Sequence, residues 1–577
     1  MLSVRQQIAS LDSDYLELLG EEQATIERTL SSLSFRGAAR ALWAKDGSLW
    51  SDDAREIGEI VDRLGWLDLP MAMRVEVPRL RALAIELGER RIGHAILLGM
   101  GGSSLAPEVL QETFRDTVQG IELIVLDSTD PAQIRRVEES IDLAATVFLA
   151  SSKSGTTAET RTLLEYFASR LEEAVGGRWM DHIIAISDPG TPLQALADEE
   201  GFLARYEASA DVGGRYSALT LFGLVPSALI GIDCDRLLQN AAAMTRRCRG
   251  TVPEAENPAF RLGAAMAGLA QVGRDKLTIL ASPRLASFGC WAEQLIAEST
   301  GKDGRGILPV EGEPLLDPSQ YGSDRAFVYV RLKNDENDAA DAFVDAVSSL
   351  GHPAIVLQLA DRYDLGGEFF RWEMATAVAG AVLGINPFDQ PNVEEAKDGA
   401  RDALAGYEAT GSLADATPLI IEDALAIYGQ GPAEGGAAAL VGRFLRQSQP
   451  GDYIALMAYI DRTPEHAALL REMRTLLTAH LGIATTVGFG PRFLHSTGQI
   501  HKGGRNNGLF IQITQIDEQD LDIPGKGYSF GVLKSAQAAG DLVALSQRGR
   551  RTVRVRVGSN VAAGLSEMLR LLENAVA

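Results

Sequence analysis

Ser151-Ser152-Lys153-Ser154-Gly155-Thr156-Thr157-Ala158-Glu159-Thr160 follows the apolar run Thr146-Val147-Phe148-Leu149-Ala150 and leads into the helical spacing of Leu163, Leu164 and Phe167. An apolar run, a hydroxyl-rich turn and a helical pattern read as strand, turn and helix. The start of a helix leaves backbone N–H groups without intrahelical partners and carries the positive end of the dipole, so an anion is stabilised there. Capping needs only one side chain. Here Ser152, Ser154, Thr156 and Thr157 offer four hydroxyls, each able to donate to a phosphate oxygen, with Lys153 among them. The turn lacks the GxxxxGK[ST] spacing of a nucleotide P-loop, so the expectation is a phosphomonoester site.

The same unit recurs on either side. His94-Ala95-Ile96-Leu97-Leu98 ends at Gly99-Met100-Gly101-Gly102-Ser103-Ser104, and Ile121 to Leu126 and His182 to Ile186 are further apolar runs closed by polar turns. A second series contains Lys276 to Leu280, Ala326 to Val330 and Ala354 to Leu357. Strands alternating with helices predict parallel sheets covered on both faces. The expected fold is therefore α/β, with two tandem doubly wound domains at 91–250 and 251–410. A helical region at 1–90, anchored by Trp43, Trp50 and Trp66, precedes them. An additional α/β region at 411–577 follows, with strands at Tyr453 to Met457, Leu509 to Thr514 and Thr552 to Val557, and a loop at 429–436.

The 577 residues carry 54 Lys and Arg against 78 Asp and Glu, a formal charge of −24, which argues against nucleic acid or an anionic membrane as partner. The acidic N-terminal stretch, with Asp12, Asp14, Glu17, Glu21 and Glu22, has no basic start or apolar core of a signal peptide. Tyr216 to Ile232 is uncharged but contains Gly223, Pro226 and several hydroxyls, and reads as a buried helix rather than a membrane span. Cys234, Cys248 and Cys290 form no CxxC pair, which suits the cytoplasm, and the seven histidines form no HxH or HExxH pair, so no metal is expected.

Gly99, Gly101 and Gly102 let backbone approach a ligand at a strand's carboxyl end. Val212-Gly213-Gly214-Arg215-Tyr216-Ser217, Glu298-Ser299-Thr300-Gly301-Lys302 and Asn386-Pro387-Phe388-Asp389-Gln390, with Lys397 seven residues on, complete an ordered set over 99–397. This set resembles the glucose-6-phosphate isomerase family of the sugar isomerase superfamily. The flanks, including 63–70, look more like the isomerase half of bacterial transaldolase–isomerase fusions.

The resemblance implies interconversion of glucose 6-phosphate and fructose 6-phosphate through a cis-enediol, with no cofactor. It implies Glu298 as the base moving a proton between C1 and C2, Arg215 as the cation facing the enediolate, and Lys397 near the ring oxygen. Gly102, Ser103, Ser152, Lys153, Ser154, Thr156, Thr157, Gln294 and Gln390 are the implied substrate contacts. It also implies a cytoplasmic homodimer, with a separate transaldolase as a metabolic neighbour. A carboxylate suits the proton transfer if burial raises its pKa, and a guanidinium stays charged without competing for the proton. The alternatives are a non-catalytic sugar-phosphate sensor and a phosphoglucose/phosphomannose isomerase of broader specificity; the joint presence of Glu298 and Arg215 argues against the sensor.

One departure stands out. The family's ring-opening histidine lies in a GQHAF-like segment of a neighbouring subunit, whereas Tyr321-Gly322-Ser323-Asp324-Arg325-Ala326-Phe327 has Arg325 in its place. Arginine does not shuttle protons near neutral pH, so either another group opens the ring or only the open-chain sugar is used efficiently. His495-Ser496-Thr497-Gly498-Gln499-Ile500-His501-Lys502-Gly503-Gly504 reads as a polar loop that offers a substitute, His501 or His495.

Overall fold

The computed structural model describes residues 4–11, 13–413, 417–432 and 434–576. Asp12 of the acidic N-terminal stretch and Ala433 of the 429–436 loop lie outside the described residues.

The first 90 residues are mostly helical, with one correction: β1 (Tyr15–Leu18) is a strand that pairs antiparallel with a strand more than 300 positions away. Tyr-Leu-Glu-Leu alternates at period two, too briefly to stand out beside helices.

The first sheet contains β2 (His94–Gly99), β3 (Glu122–Leu126), β4 (Thr146–Ser151), β5 (Ile183–Ser187) and β6 (Ala204–Glu207) in the order β3-β2-β4-β5-β6, all parallel. β2, β4 and β5 are buried almost throughout, which is why they read as continuous apolar runs. The winding reverses between β2 and β4, so a crevice opens beyond their carboxyl ends, where the 99–104 and 151–157 turns lie.

The second sheet joins β7 (Lys276–Ala281), β8 (Leu308–Glu311), β9 (Arg325–Leu332) and β10 (Ala354–Leu359) in the order β1-β10-β9-β7-β8. The third contains β11 (Ile420–Glu422), β12 (Leu425–Tyr428), β13 (Tyr453–Tyr459), β14 (Ala484–Phe489), β15 (Gly508–Gln515) and β16 (Arg551–Val557), in the order β11-β12-β16-β15-β13-β14. Its four parallel strands follow the same winding as the first two sheets: each central strand has its successor on one side and the next two on the other. The third sheet thus repeats the topology of the two sheets before it.

In the apolar run at 216–232, the helix covers Leu221–Leu229, capped by Thr220 and buried on every side. No helix among the described residues is long and apolar enough to cross a membrane. The expected loop at 495–504 is instead a 3-10 turn (Arg492–His495) followed by a buried helix (Gly498–Gly503). Gln499 fixes that helix: its Nε2 donates to Gly301 O at 2.9 Å and to Asn392 Oδ1 at 2.8 Å, and its Oε1 accepts from Asn392 N at 3.0 Å.

Candidate active site

The turn after β4 folds on its own hydroxyls. Ser152 Oγ lies 2.8 Å from Thr157 Oγ1, and Ser154 Oγ lies 2.8 Å from Thr156 Oγ1. Thr157 stands at the N-cap of the Ala158–Val175 helix but makes no side-chain capping bond. Ser154 and Thr156 are exposed, while Ser152 is buried. Lys153 does not join the hydroxyls: its ammonium pairs with Asp188 and donates to Ala210 O at 3.2 Å.

Beside this turn, the glycine loop after β2 packs backbone against backbone. A Cβ on Gly102 would fall 2.0 Å from Gly214 O, and one on Gly101, at φ +54°, would fall 2.8 Å from His495 O. Only glycine permits both approaches. Ser103 is buried at the end of this loop, and its carbonyl accepts from Ser151 Oγ at 3.4 Å.

Behind the loops, the Phe288–Thr300 helix presents Gln294 and Glu298 one turn apart. Glu298 Oε2 accepts from Gln294 Nε2 at 3.2 Å and lies 3.7 Å from Arg215 Nη1. Burial pushes the Glu298 carboxyl above its ordinary value, and Arg215, His495, Gln294 and Lys302 pull it part of the way back. Arg215 is 2% exposed and almost fully engaged. Its Nε donates to Ser299 Oγ at 2.7 Å, its Nη2 to the carbonyls of Pro387 and Asp389 at 2.7 and 2.9 Å, and its Nη1 to Gln390 Oε1. The guanidinium is thereby locked in one orientation with one edge towards Glu298.

Lys302, the end of the ESTGK motif, is buried and not a surface residue. It donates to Asn386 O at 2.6 Å and to Asp389 O at 2.7 Å, so it holds the same 386–390 loop as Arg215. Burial, then the repulsion of Arg215, lowers its pKa to about 8 against the pull of Asp389.

Lys397 is about half exposed and pairs with Glu394 at 2.7 Å, yet its charge reaches Glu159, whose carboxyl it helps to hold down. His501 is a core residue: its Nδ1 lies 3.0 Å from Tyr453 Oη, and its ring packs against Tyr453 and Phe510. Burial, with Lys502 and Arg550 nearby, lowers its pKa well below the ordinary histidine value, so it stays neutral. Arg325, in the family histidine's sequence position, forms a buried bidentate pair with Glu313, both contacts at 2.9 Å.

His495 is the histidine that reaches the site, and it comes from the same chain. Its Nε2 lies 3.0 Å from Glu159 Oε1, and its carbonyl accepts from Gln294 Nε2 at 2.8 Å. Glu159 is in the first turn of the helix that follows the hydroxyl turn, and also accepts from Gln537 Nε2 at 2.7 Å. Although burial alone would raise its carboxyl, His495, a backbone hydrogen bond and the charge of Lys397 outweigh that and hold it below its ordinary value. Sequence reasoning passes over Glu159, and a carboxylate directly behind the hydroxyl-rich turn is the signal that could have found it. The arrangement joins a set of paired hydroxyls, a histidine–carboxylate pair and a buried carboxylate beside a fixed guanidinium.

The sequence model of the phosphoglucose isomerase family matches residues 85–306. The glucose-6-phosphate isomerase of Bacillus anthracis is 30% identical over 421 residues, which covers 63% of this chain and 92% of that protein. Among solved structures, a hypothetical protein of Thermus thermophilus aligns with a TM-score of 0.58 at 26% identity, over 68% of this chain and all of that one. A glucose-6-phosphate isomerase of Chlamydia trachomatis aligns with a TM-score of 0.52 at 16% identity, over 70% of this chain and 95% of that one, a likeness of fold.

Proposed function

The chain belongs to the phosphoglucose isomerase family, and we propose on that footing that it interconverts glucose 6-phosphate and fructose 6-phosphate. The observation that carries this reading is the buried Glu298 carboxylate 3.7 Å from the immobilised Arg215 guanidinium.

The proposed reaction begins with the phosphate on the 152–157 turn, against the start of the Ala158–Val175 helix. His495, oriented by Glu159, opens the sugar ring by moving a proton between the C1 hydroxyl and the ring oxygen. Glu298 then takes the proton from C2 of the open aldose, and negative charge develops on the enediolate oxygens. Arg215 stabilises that charge without giving up a proton. Glu298 returns the proton to C1 as the O2 hydroxyl proton shifts to O1, so C1 is reduced and C2 oxidised within one molecule. No outside oxidant or reductant is consumed. Gln294 and Gln390 bind substrate hydroxyls, with Gly102 and Ser103 lining the approach. Lys397 and Lys153 serve as cations at the edge once their carboxylate partners, Glu394 and Asp188, release them.

We further propose a cytoplasmic homodimer, acting beside a separate transaldolase. Light scattering of the purified protein tests the dimer. A coupled, NADPH-forming assay of fructose 6-phosphate conversion with chelator present tests the activity. Turnover that survives chelator supports the reading, and tight binding without turnover overturns it in favour of a sensor.

A further inference from the structure

A cavity of about 240 Å³ lies at the carboxyl end of β14, against the Phe288–Thr300 helix. Arg462, Arg471, Arg474 and Arg492 line it together with Glu293 and Glu311. Neither Glu298, Arg215, Gln294 nor any residue of the 152–157 turn does.

The four arginines are not equally satisfied. Arg462 pairs with Glu108 at 3.0 Å, and Arg492 pairs with both Glu108 and Asp127, the latter at 3.0 Å. Arg474 is only 4% exposed, yet it makes one hydrogen bond, from Nη1 to Glu311 O at 2.7 Å. Its Nε and Nη2 are buried without a hydrogen-bond partner among the described residues. Arg471, exposed at the rim, forms no ion pair among the described residues. A buried guanidinium with two unmet donors is costly unless an acceptor comes to it. The carboxyls around it act on Arg474 through charge, Glu313 first and then Glu311, and none hydrogen-bonds its Nε or Nη2 among the described residues. Burial and the neighbouring Glu311 push the Glu293 carboxyl well above the ordinary range against the pull of Arg474 and Arg492, which weakens it as a counter-charge.

Open α/β sheets bind ligands beyond the carboxyl ends of their strands. Forked guanidinium donors match phosphate oxygens. We propose that this cavity is a second phosphate-anion site, distinct from the Glu298 cluster, in which Arg471 and Arg474 bind free phosphate or a small phosphomonoester. Its volume is below the roughly 300–1,000 Å³ of drug-sized pockets, which limits the ligand to a few carbons.

Calorimetric titration of the full-length protein with inorganic phosphate tests this beyond the isomerase reading, because it records binding and not turnover. The expected result is two binding events per chain. Arg471→Gln weakens one of them by about tenfold or more and leaves kcat for fructose 6-phosphate unchanged, while Ser152→Ala with Thr157→Val removes the other. Arg474→Gln should abolish the same event as Arg471→Gln, and if that buried substitution unfolds the protein, the exposed Arg471 still decides. Glycerol 3-phosphate displacing phosphate at lower concentration identifies an ester as the ligand; the reverse order identifies free phosphate. Binding unaffected by Arg471→Gln, or a single event lost with the 152–157 turn, overturns the proposal.

Discussion

His495 Nε2 is 3.0 Å from Glu159 Oε1, across 336 positions of sequence, and this pair joins the segment after β14 of the third sheet to the helix that follows the hydroxyl-rich turn of the first. One histidine nitrogen held by a carboxylate fixes the ring's orientation and supports the imidazolium that forms when the ring takes a proton. His495→Asn should therefore slow turnover of ring-form sugar by about 100-fold or more, while solvent exchange on open-chain substrate survives. His501→Asn should lower the melting temperature and leave the ring-opening step intact. Steady-state rates on both sugar forms check the pair, and equal effects of the two variants on ring opening contradict the assignment.

The acid limb of kcat/KM should lie above the ordinary Glu value of 4.5, because burial raises the Glu298 carboxyl. The base works only when ionised, so activity rises with pH through that limb. Gln294 donates to this carboxylate at 3.2 Å, and Gln294→Leu should move the limb higher still. A pH–rate profile of both proteins reads this; a limb that stays put in the variant contradicts the role of Gln294.

Arg325 and Glu313 are 1% and 2% exposed at their side chains, and each leaves an unpaired buried charge if the other is removed. Arg325→Met should cost about 3–5 kcal/mol of folding stability, with kcat of the folded fraction unchanged. Arg325→His should not create ring-opening activity. Chemical denaturation and turnover measured on the same samples separate these effects.

Glu373 is fully buried on the Leu365–Leu383 helix, and neither carboxyl oxygen has a hydrogen-bond partner among the described residues. Burial alone raises its pKa well above the ordinary value of 4.5. The neutral acid is favoured in the fold, so its contribution is fully present below the unfolded-state value and is lost as pH rises towards the folded one. In that window the loss is about 1.4 kcal/mol per pH unit. Glu373→Gln should thus gain stability over the wild type as pH rises, by denaturant melts at pH 5 and pH 8; a pH-independent difference contradicts this.

The interior strands are legible in the sequence because parallel strands buried on both faces leave unbroken apolar runs, as in Ile96-Leu97-Leu98 and Val147-Phe148-Leu149. Glu298, Arg215, Gln294 and Gln390 are legible because their motifs are local and ordered along the chain, and the structure brings them together. The choice between His495 and His501 is not. Six residues apart in a polar stretch, they differ only in what approaches from afar: Glu159 for one, Tyr453 and Phe510 for the other. The burial of Lys302 is equally hidden, because its partners, Asn386 and Asp389, are more than 80 positions away. β1 escapes notice for the same reason, since its pairing partner is β10.

Deuterium incorporation from heavy water into C2 of glucose 6-phosphate, followed by NMR for the wild type and Glu298→Gln, puts the proposed base to the sharpest trial. Exchange should be ready in the wild type and fall by about 1,000-fold or more in a variant that stays folded. Exchange undiminished in Glu298→Gln would show that another group moves the proton, and the assignment of the base would fall.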